Sequence, residues 1–117
     1  MYADFDATVR RCFDEPDWKL GAGGESNSEL AARMRAALLH IVEREHGRNV
    51  AAASHGQAIS SLLATINPSF GHAEWLAMGN PAVFALTWDG RHLRGDCKSL
   101  RLKGVAVRNG VIDSEFE

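Results

Sequence analysis

The strongest constraint on the fold is a short apolar run that passes directly into a helical pattern. Residues 49–53, Asn-Val-Ala-Ala-Ala, do not alternate with polar residues, which is typical of a strand buried on both faces of a parallel sheet. Ser54-His55-Gly56 follows, and Asn67-Pro68 closes the helical pattern. The apolar positions of that pattern are Ile59, Leu62, Leu63 and Ile66. We therefore predict a strand, a tight turn and a helix.

Two further helices are predicted ahead of this unit. Residues 2–13 place apolar side chains four apart on one face, and Pro16 ends that helix. A glycine-rich loop follows over residues 17–24. Ser26 and Glu29 then form a possible capping box, which opens a longer amphipathic helix that stops at Gly47.

The C-terminal part has strand character. Residues 83–88 have high strand propensity, and Asp89-Gly90 is a strong hairpin signal. Further strands are predicted over residues 93–97 and 100–107, with a bulge at Gly104 where the alternation changes phase. The predicted fold class is α/β: a partial three-layer arrangement with a mixed sheet, helices on its faces and a C-terminal β-hairpin.

The composition indicates one small domain spanning residues 1–117, with 45% hydrophobic and 24% charged residues. A net charge of -2 argues against a protein dominated by nucleic-acid or membrane electrostatics. Cys12 and Cys97 lie far apart without CxxC spacing, which fits neither a disulfide scaffold nor a zinc site. The charged first twenty residues hold no signal peptide or membrane span, so we expect a cytoplasmic location. We expect no metal and no cofactor.

His55 is the main candidate for chemistry. It lies where a buried strand would meet a helix, at the sheet edge where α/β folds bind ligands. The helix beginning at Gly56 or Gln57 offers backbone N–H groups and a positive dipole end to an anion. A protonated His55 could donate a hydrogen bond to a phosphoryl oxygen. Taken by itself, the histidine fits a loop-capping role equally well.

The order of several motifs resembles the histidine phosphatase superfamily, which includes the phosphoglycerate mutases. The motifs are Gly23-Gly24-Glu25-Ser26, Arg33 eight residues after the glutamate, and the apolar run ending in Ser54-His55-Gly56. Residues 71–76 and 80–84 continue the resemblance, which covers roughly residues 1–90. No single motif is specific, but the ordered set is.

This resemblance implies phosphoryl hydrolysis or transfer, with a phosphorylated small molecule or phosphate as ligand. His55 would be the second catalytic histidine, and Gly56 and Gln57 would bind the phosphate. Supporting residues near the site would be Ser54, Glu25, Ser26 and Arg33. From the residues themselves, a structural role at the start of a helix is favoured for Glu25, and a helix-face ion pair for Arg33.

The family's nucleophile has no counterpart in this sequence. Catalysis in the family starts from an Arg-His-Gly motif whose histidine becomes phosphorylated, whereas the one Arg-His pair here, Arg91-His92, precedes Leu93. A second phosphate-binding arginine and a proton-donating carboxylate are also unmatched, so the chain would begin just after them. We therefore expect a truncated or degenerate member without turnover by this chain alone.

Two other functional classes remain open from the sequence. A basic C-terminal strand with Arg101 and Lys103 could contact nucleic acid, although no nucleic-acid motif accompanies it. Alternatively, the chain is a non-catalytic interaction module, because the missing first strand would leave a sheet edge open to a second copy or a complementing chain. A metal site at Glu43 and His46 is disfavoured, since it would need further carboxylate and histidine ligands.

Overall fold

The computed structural model describes residues 5–79, 82–100, 102–108 and 111–116. Within them the chain is mixed α/β and forms two compact units, Met1–Ala77 and Met78–Glu117. The first unit contains the helices α1 (Phe5–Asp14), α2 (Asn27–Arg44), α3 (Gly56–Ile66) and α4 (His72–Ala77). The second contains the strands β1 (Thr87–Trp88), β2 (Leu93–Arg94), β3 (Leu102–Arg108) and β4 (Val111–Phe116).

The start of α2 confirms the predicted capping box. Ser26 is the extended N-cap residue, and its hydroxyl accepts a hydrogen bond from the Glu29 backbone N–H at 3.1 Å. The Glu29 carboxylate accepts one from the Ser26 N–H at 3.1 Å. Two backbone donors that an α-helix leaves unsatisfied are thus paired, which fixes where α2 begins.

Helix α3 is the most deeply buried helix of the first unit, and it packs mainly against α2. Its side of the core is formed by Ala58, Leu62 and Leu63. Val9 of α1, Ala31 of α2 and Phe70 complete the buried hydrophobic set of this unit. The burial of α3 confirms the apolar periodicity that predicted it.

A fourth helix, α4, was not predicted from the sequence. It contacts α1 through an edge-to-face pair between Phe5 and Trp75, whose ring centroids are 6.3 Å apart. His72 Nε2 lies 2.9 Å from Asp6 Oδ1. With six residues, α4 is too short for a helical repeat to be recognised in sequence, and these contacts with α1 stabilise it.

The strand predicted over residues 49–53 does not form. Residues 49–55 carry neither helix nor strand and are exposed, with Val50 44% accessible. A parallel strand needs a hydrogen-bonded neighbour, and no strand of the described residues pairs with this segment. The turn and α3 that follow are formed as predicted, so the error concerns pairing and not the position of the turn.

The second unit confirms the predicted hairpin at Asp89-Gly90. Strands β1 and β2 are antiparallel, with Trp88 opposite Leu93. Asp89 organises the loop, because its Oδ1 accepts the backbone N–H groups of Arg91 and His92 at 2.8 and 2.7 Å. Both β1 and β2 are two residues long, shorter than predicted, although an isolated bridge joins Val83 to Leu100.

A second antiparallel hairpin joins β3 and β4. The register shifts between Leu102 and Gly104, which confirms the predicted bulge. Strand β4 was not predicted, although the Asn-Gly dipeptide at 109–110 is a strong hairpin signal. Of the four helices described, none combines the length and apolar character that crossing a lipid bilayer requires.

Candidate functional site

His55 occupies the N-cap position of α3. Its backbone is extended, with φ of -93° and ψ of 154°, and its carbonyl accepts the Ile59 N–H at 2.9 Å. The imidazole makes no capping hydrogen bond, and the residue is exposed. The backbone of His55 therefore performs the capping, while its ring stays available to solvent or to a ligand.

The backbone N–H groups that follow His55 supply the second part of the site. An α-helix provides no internal acceptor for its first N–H groups, which here belong to Gly56, Gln57 and Ala58. The helix dipole places partial positive charge at the same end. Since no acidic residue lies in the first turn of α3, this charge is not neutralised within the helix.

The Gln57 side chain is held by neighbouring helices. Its Nε2 donates to Asn27 Oδ1 at 3.0 Å, joining α3 to the first residue of α2. It also contacts Cys12 of α1: burial raises the pKa of the Cys12 thiol, and the hydrogen bond with Gln57 partly opposes this. Gln57 can thus face a ligand through its backbone N–H, while its side-chain amide serves the contact between helices.

Ser54, directly before His55, also has a partner on α2. Its hydroxyl lies 3.6 Å from the Met34 sulfur, a weak acceptor. The contact is exposed and joins the segment leading to His55 with the middle of α2. This fits a role in orienting the backbone.

Glu25 and Arg33 form a bidentate ion pair. The Nε and Nη2 atoms of Arg33 each donate to a Glu25 carboxylate oxygen at 3.0 Å. The hydrogen bonds from Arg33 lower the pKa of Glu25, and the Glu25 carboxylate raises the pKa of Arg33. Both side chains are exposed, so the pair adds little stability. The geometry agrees with the structural roles favoured for these two residues from the sequence.

The loop before α2 is held together by a backbone hydrogen bond between two glycines. Gly24 N–H donates to Gly21 O at 3.2 Å, and a β-carbon at Gly24 would lie 2.7 Å from the Leu20 carbonyl oxygen. Only glycine allows this close approach of backbone to backbone. The loop places Glu25 and the buried Ser26 at the start of α2.

Other candidates from the sequence lie apart from this arrangement. His92 sits in the β1–β2 loop, where its Nδ1 lies 3.9 Å from Asp89 Oδ2. Arg101 and the side chain of Lys103, which carried the nucleic-acid alternative, fall outside what the structure describes. Among the described residues, no group of three or more His, Cys, Asp or Glu side chains could hold a metal ion.

Sequence reasoning did not identify Asn27 as part of this region. Asn27 and Gln57 are 30 positions apart, and neither belongs to a motif that requires the other. A polar residue directly after an N-cap serine is ordinary in sequence. Its burial, at 6% exposure, and the lack of a partner for its Nδ2 among the described residues distinguish it in the structure.

Comparison with known proteins identifies a family. The family model described as histidine phosphatase superfamily (branch 1) matches residues 1–99. No curated protein and no solved structure matches the chain significantly. The matched region includes the whole of α1 to α4 and the β1–β2 hairpin.

Proposed function

The chain belongs to the histidine phosphatase superfamily, branch 1, and from that premise we propose that His55 and the first turn of α3 bind a phosphoryl group. The ligand is inorganic phosphate or a phosphorylated small molecule. His55 is the second catalytic histidine of the family pattern, and the backbone N–H groups of Gly56 and Gln57 contact the phosphoryl oxygens.

The observation that carries this proposal is the position of His55 at the N-cap of α3. The ring is exposed and is not used for capping, while three backbone donors follow it. Capping here is performed by the His55 backbone, whose carbonyl accepts the Ile59 N–H, so the ring is not needed for it. The geometry therefore favours the ligand-facing interpretation over the capping one.

The chemistry available at this corner is charge stabilisation. A histidine can hold a proton near neutral pH and donate it in a hydrogen bond to a phosphoryl oxygen. The α3 N–H groups and the helix dipole stabilise negative charge at the same place. Glu25 and Arg33 bind each other and are assigned no direct contact with the ligand.

The sequence provides no nucleophile for His55 to assist. None of its 117 residues forms an Arg-His-Gly motif, and His92 is followed by leucine. Phosphoryl transfer depends on positioning a nucleophile in line with the leaving group, which an anion site alone cannot do. We propose that this chain by itself binds phosphate without turning over phosphate esters.

The family's three-layer fold with a mixed sheet also belongs to the proposal. It requires residues 49–53 to pair with a neighbouring strand. The segment would then be a strand of the sheet, with His55 just beyond its carboxyl end. A second copy or a complementing chain could supply that strand. Phosphate binding at α3 itself needs only the helix, which the first unit provides.

Calorimetric titration with inorganic phosphate tests the binding proposal. We expect the His55→Ala variant to bind about tenfold more weakly than the unmodified chain, because it loses a charge-assisted hydrogen bond. His46→Ala is the matched control, since His46 is also exposed but lies beyond the end of α2. Equal affinities for His55→Ala and the unmodified chain would contradict the proposal.

Hydrolysis of p-nitrophenyl phosphate tests the expected absence of turnover. We expect no rate above the buffer blank at protein concentrations that saturate phosphate binding. Robust hydrolysis that His55→Ala abolishes would overturn this part of the proposal and reveal a nucleophile that the sequence motifs do not identify.

A further inference from the structure

Asn27 is a buried polar residue with an incompletely used side chain. It opens α2, is 6% exposed, and accepts a hydrogen bond from Gln57 Nε2 at 3.0 Å through its Oδ1. Its Nδ2 has no hydrogen-bond partner among the described residues. Burying an unpaired amide group costs free energy, so Asn27 is not explained by packing alone.

The Asn27–Gln57 hydrogen bond joins the first turns of two helices. Asn27 is the first residue of α2, and Gln57 is the second residue of α3. Ser26, the N-cap of α2, is itself buried and fixed by the capping box. Asn27 is therefore a rigid support on one helix for a residue whose backbone N–H opens the other.

Restraining Gln57 also restrains the direction of the backbone donors. Its N–H lies between those of Gly56 and Ala58, and the following N–H, of Ile59, is already bonded to His55 O. Rotation of the first turn would move all three donors together. A side-chain hydrogen bond at Gln57 resists that rotation at a position whose backbone N–H has no acceptor within the helix.

We infer that Asn27 is a positioning residue for the phosphate site and acts through Gln57. The inference deepens the proposed function and rests on it. Asn27 holds the Gln57 side chain against the start of α2, and the first turn of α3 thereby keeps its N–H groups directed at the anion. Burying its amide lowers stability, and the order that Asn27 gives to the site is the functional reason for that cost.

A double-mutant cycle on phosphate affinity tests this route of action. The variants are Asn27→Ala, Gln57→Met and their combination. We expect each single change to weaken phosphate binding about fivefold, the equivalent of one neutral hydrogen bond. Because Gln57→Met already removes the contact with Asn27, the combined variant should bind no more weakly than Gln57→Met alone.

A matched control separates positioning from general destabilisation. Asn67→Ala removes an asparagine side chain at the other end of α3, where Oδ1 of Asn67 accepts the Ser69 N–H at 3.0 Å. We expect this variant to lower the melting temperature while leaving phosphate affinity unchanged. An affinity loss in Asn67→Ala equal to that in Asn27→Ala would overturn the inference.

Amide hydrogen exchange gives a readout that needs no phosphate. We expect Asn27→Ala to speed exchange of the Ile59 N–H about fivefold, since the first turn loses its tie. Asn27→Asp retains an acceptor for Gln57 and should keep the original exchange rate. The serine hydroxyl in Asn27→Ser is too short to replace the amide, so this variant should behave like Asn27→Ala. It replaces Asn27→Ala in the test if the alanine variant does not fold.

The two measurements distinguish the possible failures. If the unmodified chain shows no phosphate binding, the proposed function fails, while the exchange rates still decide whether Asn27 orders the first turn of α3. Unchanged Ile59 exchange in Asn27→Ala would overturn the inference. So would unchanged phosphate affinity in that variant, or losses that multiply in the combined variant.

Discussion

Two adjacent buried serines on α3 differ in whether their hydroxyl groups form a hydrogen bond. Ser61 donates to the Gln57 carbonyl at 2.7 Å. Ser60 is fully buried, and its hydroxyl has no partner in the described part of the chain. A buried hydroxyl without a partner loses its hydrogen bonds to water on folding and gains nothing in return.

We expect Ser60→Ala to stabilise the chain by about 1 kcal/mol, because it removes an unpaired polar group and leaves only a small void. Ser61→Ala is the control, since it removes a hydroxyl that is paired and should be neutral or destabilising. Urea denaturation of both variants measures the difference. If Ser60→Ala is no more stable than Ser61→Ala, the hydroxyl of Ser60 has a partner in solution.

At the residue scale, the sequence predicts positions better than contacts. His55 could be placed at the start of a helix because an apolar run ends just before it and a helical pattern begins just after it. The contacts of Gln57 with Asn27 and Cys12 could not be predicted, since they depend on how three helices pack. Helical periodicity predicts which face of a helix is buried, but not which residues pack against that face.

At the scale of secondary-structure elements, α2 depends on charged groups at its start. Glu29 accepts a hydrogen bond from the Ser26 backbone N–H and pairs with Lys19 Nζ at 3.0 Å, and these contacts lower its pKa. The stabilisation is complete above the ordinary glutamate pKa of about 4.3. It is lost as pH falls through the lower value of the folded state.

We therefore expect Glu29→Gln to reduce the loss of stability that the chain undergoes as pH falls below about 4.3. Glutamine keeps an acceptor for the Ser26 N–H but does not titrate in this range. Thermal unfolding followed by circular dichroism at several pH values measures the effect. Glu43→Gln, an exposed change on the same helix, should keep the original pH dependence. Parallel curves for the original chain and Glu29→Gln would contradict this account.

Most elements with local determinants were predicted correctly, although β4 was missed, whereas the strand that depends on a partner was predicted wrongly. The capping box, the Asp89-Gly90 hairpin and the bulge at Gly104 each follow from a few neighbouring residues. The strand over residues 49–53 depends on a neighbour in a sheet, and it does not form among the described residues. Apolar composition indicated burial for this segment but could not supply the partner.

At the scale of the whole molecule, the segment leading to His55 is an exposed and irregular part of the first unit. Residues 49–55 are exposed and lie outside any helix or strand, although their sequence favours a buried strand. Their backbone N–H and C=O groups can pair with an extended chain. The segment therefore offers a place where a second copy could add a strand.

We expect self-association that rises with concentration and that Ala52→Pro reduces. Proline removes a backbone N–H needed for strand pairing and should cost the monomer little in an exposed, irregular segment. Ala52→Ser keeps the N–H at the same site and is the control. Sedimentation velocity over a concentration series measures the effect. A monomer at every concentration, or equal association of the proline and serine variants, would contradict the prediction.

The central claim, that His55 and the first turn of α3 form a phosphate site, is tested most directly by nuclear magnetic resonance. Inorganic phosphate is titrated into the ¹⁵N-labelled chain and into His55→Ala while each backbone amide is followed. We predict saturable shifts concentrated at Gly56, Gln57 and Ala58, with affinity about tenfold weaker in His55→Ala. Shifts that do not saturate, that spread over amides outside the first turn of α3, or that are the same in His55→Ala would contradict it.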